Sequence, residues 1–123
     1  MAADAKIGIW VGSDTKVVLA GLKDEITDAY VNDATVTYTL RVYDAAVINT
    51  ASEGAESVFG ALEDESMAYE ASSRGKYVGL VPDTTAIVPG TKYWVDITAT
   101  TTGGTVLRVR KLSEATFYGT KRR

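Results

Sequence analysis

Two residue types that commonly carry chemistry are missing from this chain. Its 123 residues include no cysteine and no histidine. Without cysteine there is no disulfide framework and no thiolate nucleophile. Without histidine the chain lacks the commonest general base and the commonest metal ligand at neutral pH. Nucleophilic triads and histidine-based metal sites are therefore excluded, and we predict no enzyme activity, no cofactor and no metal site.

Paired carboxylates are the remaining route to an active site. Acidic residues cluster in two places, at Asp24, Glu25 and Asp28 and at positions 63–65. Both clusters fall in polar connections, where neighbouring carboxylates are usually just solvated charge. Calcium binding by these loops is the open alternative, although neither has the Asp-x-Asp-x-Asp-Gly spacing of a calcium loop.

Long hydrophobic runs are also missing. No apolar stretch is long enough to cross a bilayer. The segment 1–13 has neither the basic start nor the apolar centre of a secretory signal. The sequence therefore predicts a chain that is made in the cytoplasm and has no membrane partner.

Strand signals make up most of what is present. The clearest lies at 34–44, where Val36, Tyr38 and Leu40 alternate with threonines. A period of two is typical of a strand with one buried face. The segment 91–100 alternates in the same way, which places Tyr93 inward and Trp94 outward. Further strands are predicted at 6–11, 15–22, 66–72, 76–81, 105–112 and 115–120.

The strands and their turns predict a fold class. Turn signals occur at SRG (73–75), PG (89–90) and TTGG (101–104). About seven short strands with almost no helix predict an all-β fold, an antiparallel β-sandwich with Greek-key connections. The least regular segment is 45–65, where we expect a strand fragment, a loop and a second short strand. The expected organisation is an N-terminal arm (1–14), one sandwich domain (15–120) and a basic C-terminal tail (121–123).

Charge is divided unevenly along the chain. Residues 108–123 carry six basic side chains and one acidic one, whereas the first 107 residues carry seven basic and 15 acidic ones. Such a split is typical of a segment that interacts with another molecule. Because the chain as a whole has a net charge of −3, we favour the acidic face of a neighbouring subunit over nucleic acid as its partner.

Two tryptophans fall on strand positions opposite the apolar ones. Trp10 alternates with Ile9 and Val11, and Trp94 alternates with Tyr93 and Val95. The outward face of a sandwich is wet, so a tryptophan there is a candidate interface anchor or a ring that stacks on a sugar. The predicted contact residues are Trp10, Trp94, Arg108, Arg110, Lys111, Lys121, Arg122 and Arg123.

The stretch IVPGTKYWVDITATTTGG (87–104) is similar to the end of a fibronectin type III or related immunoglobulin-like domain. In those domains a Pro-Gly-Thr turn and a tyrosine lead into the penultimate strand, and here these residues are Pro89, Gly90, Thr91 and Tyr93. The resemblance implies an immunoglobulin/fibronectin type III-like Greek key, in which the Tyr93 hydroxyl bonds back to the backbone near this structural corner. It implies a fold and no activity.

Three further motifs, in this order, resemble small virion proteins of tailed bacteriophages. They are GLKD (21–24), ATVTYTL (34–40) and GKYVGLVP (75–82). The resemblance implies a structural virion protein of the head, neck or tail, present in multiple copies or as a homo-oligomer and in contact with other virion proteins. The alternative is a free-standing immunoglobulin-like binding module, one that binds carbohydrate through Trp94 and nearby tyrosines.

Overall fold

Regular structure in this protein consists of β-strands. The computed structural model describes residues 2–7, 10–11, 15–24, 26–43, 58–82, 84–85, 87–114 and 116–117. Within these ranges there is no helix, so the predicted all-β class is confirmed. The strands are β1 (Ala2–Ile7), β2 (Trp10–Val11), β3 (Thr15–Lys23), β4 (Thr35–Val42), β5 (Glu65–Tyr69), β6 (Tyr77–Val81), β7 (Lys92–Thr100), β8 (Val106–Glu114) and β9 (Thr116–Phe117).

Seven of the strands form one curled antiparallel sheet. Its order is β1-β3-β6-β5-β4-β7-β8, and every neighbouring pair is antiparallel. The short strand β5 joins the two halves, because residues 65–67 pair with β4 and residues 68–69 pair with β6. The sheet curls so that its edge strands β1 and β8 approach each other. The short strands β2 and β9, which follow them in the chain, pair in parallel.

The core lies inside the curl. On β4 and β7 every second side chain is buried, as their alternation predicts: Val36, Tyr38, Leu40, Tyr93, Val95, Ile97 and Ala99. Strands β3 and β6 complete the core from the other half with Val17, Leu19, Tyr77 and Val81. Removing these apolar side chains from water is the main favourable contribution to folding. The inward faces predicted for β4 and β7 are confirmed.

A strand glycine allows the two halves of the sheet to pack closely. A Cβ atom on Gly79 of β6 would lie 2.9 Å from Met67 Cγ and 3.0 Å from Tyr38 Cε2. The Tyr38 ring therefore rests directly on the backbone of β6, and its hydroxyl donates a hydrogen bond to the Leu80 carbonyl. A side chain at position 79 would force β4 and β6 apart.

The β3–β4 and β5–β6 connections lock together at one end of the sheet. The Tyr77 hydroxyl accepts a hydrogen bond from the Ala34 amide at 3.1 Å and donates one to the Val31 carbonyl at 2.8 Å. Gly75 has φ of 64° and packs so close that a Cβ would lie 2.5 Å from the Leu22 carbonyl oxygen. These contacts therefore hold the two connections in fixed positions relative to each other at this end of the sheet.

The chain ends differ in how much of them the structure describes. Residues 2–7, predicted to belong to an N-terminal arm, form the edge strand β1 and pair with β3. The strand predicted at 6–11 is divided between β1 and β2. Residues 44–57, which include most of the segment predicted as strand fragment and loop, lie outside the described residues, as does the tail 121–123.

Candidate interface on the outer face of β4, β7 and β8

Strands β7 and β8 carry four of the predicted contact residues, Trp94, Arg108, Arg110 and Lys111. β4, β7 and β8 are in register, so their outward side chains form rows across the sheet. Successive rows are Thr37–Thr98–Arg108, Thr39–Asp96–Arg110 and Arg41–Trp94–Leu112. This outer face is thus polar and aromatic, on the side of the sheet opposite to the core.

Asp96 holds two arginines at the centre of this face. Its Oδ1 accepts a hydrogen bond from Arg110 Nε at 2.7 Å, and its Oδ2 accepts one from Arg41 Nε at 3.0 Å. The side chains of Asp96, Arg110 and Arg41 are 23%, 9% and 19% exposed, respectively. Because little water reaches the three groups, their attraction is screened less than that of ion pairs on an open surface.

Trp94 is packed against its own chain. The Arg110 guanidinium carbon lies 4.3 Å from the indole centroid, a cation–π contact. Tyr43 packs beside the ring, with its own centroid 6.1 Å away. Arg110 therefore covers one face of the indole, the kind of surface on which a sugar would stack. Among the described residues the buried indole Nε1 has no hydrogen-bond partner.

The outward side of β8 also carries exposed groups. Val106, Arg108 and Leu112 are all exposed, and we call these three side chains the β8 stripe. Lys111 is exposed on the opposite side of the strand, where it pairs with the buried Val95. Within the part of the chain that the structure describes, Arg108 has no ion-pair partner. The β8 stripe thus combines apolar side chains with unneutralised positive charge.

A groove of about 420 Å³ lies beside the β8 stripe. Its charged lining groups are Arg41, Arg108, Arg110, Asp64 and Asp96, three cations against two anions. A concave surface with an excess of positive charge attracts anionic groups.

One wall of the groove differs from the sequence-based expectation. The alternation of β4 places Thr39 on the wet face, yet its side chain is buried. The cause is a contact from a distant segment, since the Asp64 amide donates a hydrogen bond to Thr39 Oγ1 at 3.0 Å.

Asp96 and Arg41 are absent from the predicted contact residues, although the sequence carries a signal for them. Asp96 is the one acidic residue in the alternating segment 91–100. The turn at 101–105 fixes the register of β7 and β8, which places Asp96 directly opposite Arg110. Counting outward from that turn would have identified the pair, because opposite residues in antiparallel strands lie side by side.

The predicted structural corner precedes β7. The Thr91 amide donates to the Val88 carbonyl at 3.2 Å, and Gly90 has φ of 82°, which is the geometry of a type II turn with Pro89 at its second position. The Val88 amide also donates a hydrogen bond to the Tyr93 hydroxyl at 3.0 Å. This bond ties the buried Tyr93 ring to the backbone of the turn.

The remaining candidate residues lie elsewhere. The backbone of Trp10 pairs with Thr116 across β2 and β9, and Lys121, Arg122 and Arg123 lie outside the described residues. In the described ranges no group of three or more acidic residues could hold a metal ion. No helix in those ranges is long and apolar enough to cross a membrane.

The fold and the outer face define an all-β protein with one curled antiparallel sheet and an arginine-rich face. Comparison with known proteins finds no matching family model, no similar curated protein and no similar solved structure. The function is therefore argued from the residues and their geometry.

Proposed function

We propose that this chain is a structural component of a tailed-phage virion, a head, neck or tail accessory protein that packs against other virion proteins in multiple copies. The observation that carries the proposal is the β8 stripe, where Val106 and Leu112 are exposed on the same face as Arg108. An apolar surface that contains arginine is typical of protein–protein interfaces.

We further propose that the curled sheet is an immunoglobulin-like sandwich. The run β1-β3-β6-β5 corresponds in order to strands A-B-E-D of a constant-type domain, and β4-β7-β8 corresponds to C-F-G. The bond between the Val88 amide and the Tyr93 hydroxyl supports this, because immunoglobulin-like domains bond a tyrosine near the start of strand F to the backbone upstream. One difference is that β5 pairs with strands of both halves.

The motifs that resemble phage virion proteins meet in this fold. GLKD (21–24) ends β3, ATVTYTL (34–40) forms most of β4, and GKYVGLVP (75–82) contains β6. The third motif contacts both of the others, through Gly75 against Leu22 and through Gly79 against Tyr38. The resemblance thus concerns residues whose contacts determine the fold, which supports a shared fold with those virion proteins.

A rigid sheet suits a protein that acts by packing. The Asp96 ion pairs and the Trp94–Arg110 contact fix the side chains beneath the β8 stripe. Side chains that are already ordered lose less conformational entropy when a partner binds. The proposed mechanism is geometric: a preformed surface meets a complementary surface of its neighbour.

The test is to analyse virions of the phage that encodes the chain, using mass spectrometry of purified particles. We expect the protein in the particles in many copies. Arg108→Glu should reduce its incorporation, whereas the control Lys16→Glu, which reverses an exposed charge on β3, should not. Absence of the wild-type protein from the particles would refute the proposed function.

A further inference from the structure

The most exposed apolar side chain is at the tip of the β3–β4 loop. Ile26 is 94% exposed, more than any other large apolar side chain in the described ranges. An isoleucine that is left in water gains nothing from the hydrophobic effect unless another molecule covers it.

The loop holds Ile26 in place. Asp24 Oδ1 accepts hydrogen bonds from the Ile26 amide at 2.9 Å and the Thr27 amide at 3.4 Å. The Asp28 amide donates to the Asp24 carbonyl at 2.7 Å, and Asp28 Oδ1 lies 3.0 Å from Lys23 Nζ. Ile26 is therefore presented on a closed turn whose base is fixed to the β5–β6 connection, a preorganised arrangement that favours binding.

The charge around Ile26 determines which kind of surface this loop can contact favourably. Among the described residues of this connection, Asp24, Asp28 and Asp33 are acidic, and one basic residue, Lys23, precedes them. Asp24, Ile26 and Asp33 also share a hollow with the β7–β8 turn. We call this acidic surface the loop tip. Two loop tips would repel each other, which disfavours a symmetric tip-to-tip contact between copies.

The far end of the outer face offers the complementary surface. β8 runs from the β7–β8 turn, beside the loop tip, to the opposite end of the sheet, where Leu112 is exposed. Lys92 is exposed on the same face, opposite Glu114, and Trp94 lies beside Leu112 in the neighbouring strand. Across β4, β7 and β8 this face carries four cations against two anions, which are Arg41, Lys92, Arg108 and Arg110 against Asp96 and Glu114. An exposed apolar side chain on a face of net positive charge thus lies at one end of the sheet, and an apolar side chain among anions lies at the other.

We propose that the loop tip of one copy docks on the β8 stripe of a second copy, with Ile26 beside Leu112 and the acidic groups facing Lys92 and Arg108. The inference rests on the proposed function, which it makes specific. A contact between two different surfaces of the same chain is heterologous, so it repeats from copy to copy and forms a ring or a filament.

The test uses sedimentation of the full chain over a wide concentration range, at low and high ionic strength. We expect the wild type to associate, and Ile26→Asp and Leu112→Asp each to weaken association at least about tenfold. The matched control is Val88→Asp, since Val88 is 51% exposed and Leu112 44% exposed, yet Val88 lies in a turn outside both surfaces. Thermal melting of each variant checks that it is folded.

Mixing the two variants gives the sharpest result. The Ile26→Asp chain keeps an intact β8 stripe and the Leu112→Asp chain keeps an intact loop tip. A heterologous contact therefore predicts a 1:1 dimer on mixing that grows no further, although neither variant associates alone. As a second measurement, the single changes Asp33→Lys and Arg108→Asp should each weaken association, and the double variant should regain it.

Two outcomes would overturn the inference while leaving the proposed function standing. One is a wild type that stays monomeric at every concentration although the protein is found in virions. The other is association that neither Ile26→Asp nor Leu112→Asp weakens. Absence of the protein from virions, by contrast, would refute the proposed function whatever the sedimentation result.

Discussion

Replacing Asp96 with asparagine tests whether the ion pairs of the outer face stabilise the fold. Asparagine keeps the size and shape of the side chain but removes its charge, and only one of its two polar atoms accepts hydrogen bonds. Of the two contacts, at 2.7 Å to Arg110 Nε and 3.0 Å to Arg41 Nε, one is lost and the other no longer involves a charged acceptor.

The expected loss follows from the burial of the group. A hydrogen bond to a charged partner contributes about 1.5–3 kcal/mol in a buried setting, and an exposed ion pair contributes about 0.2–1 kcal/mol. The Asp96 carboxylate, 23% exposed, lies between these limits and closer to the buried one. Losing one contact and weakening the other should lower the free energy of unfolding by about 2 kcal/mol.

Urea unfolding followed by tryptophan fluorescence measures this change. The matched control is Asp28→Asn, which removes the carboxylate 3.0 Å from Lys23 Nζ in a pair whose Asp28 side chain is 81% exposed. Asparagine also tolerates the positive φ of 62° at this position, so no measurable change is expected. Equal losses for the two variants would refute the conclusion that burial makes the Asp96 pairs stabilising.

Three further predictions concern the core and the corner. Gly79→Ala should destabilise by about 1–3 kcal/mol by overpacking, whereas Gly103→Ala, whose Cβ would meet nothing nearer than 3.9 Å, should be nearly neutral in the same urea assay. Tyr93→Phe removes the acceptor of the Val88 amide and should lower the thermal midpoint by an amount equivalent to about 1 kcal/mol. Burial, with a smaller contribution from Glu65, raises the pKa of Tyr38 from 10 to about 12. The unfolded chain therefore loses this proton first, so stability should fall between pH 10 and 12, and fall less steeply in Tyr38→Phe.

The strands that the sequence predicts best are those with one face against the core and the other face toward water. β4 and β7 are central in the sheet, with the core on one side and polar groups on the other. Their side chains therefore alternate, and the alternation alone assigns Tyr38 and Tyr93 to the core. The turns were predicted equally well from the sequence, because Gly90 and Gly104 adopt the positive φ that their turns require.

Contacts between segments that are distant in the sequence could not be predicted from the alternation of side chains. Thr39 occupies a position that alternation assigns to solvent, and it is buried because Asp64, 25 residues away in the chain, bonds to it. Ile26 lies in a polar connection, where nothing in the pattern distinguishes a covered isoleucine from one that is 94% exposed. Such features depend on which distant segments meet, and local periodicity holds no information about that.

The basic C-terminal region combines two sequence patterns, an excess of positive charge and the strand predicted at 105–112. A run of positive charge indicates an interacting tail, and a tail attracts its partner through long-range electrostatics that salt screens strongly. In the structure Arg108 and Lys111 belong to that predicted strand, which has nine residues and is paired along its length with β7. Their positions in the strand are fixed relative to Leu112 and to the Asp96 network, so a partner must match shape as well as charge. Binding through this surface should therefore depend on single side chains, and Leu112→Asp should impair it even at an ionic strength that has already screened the charges.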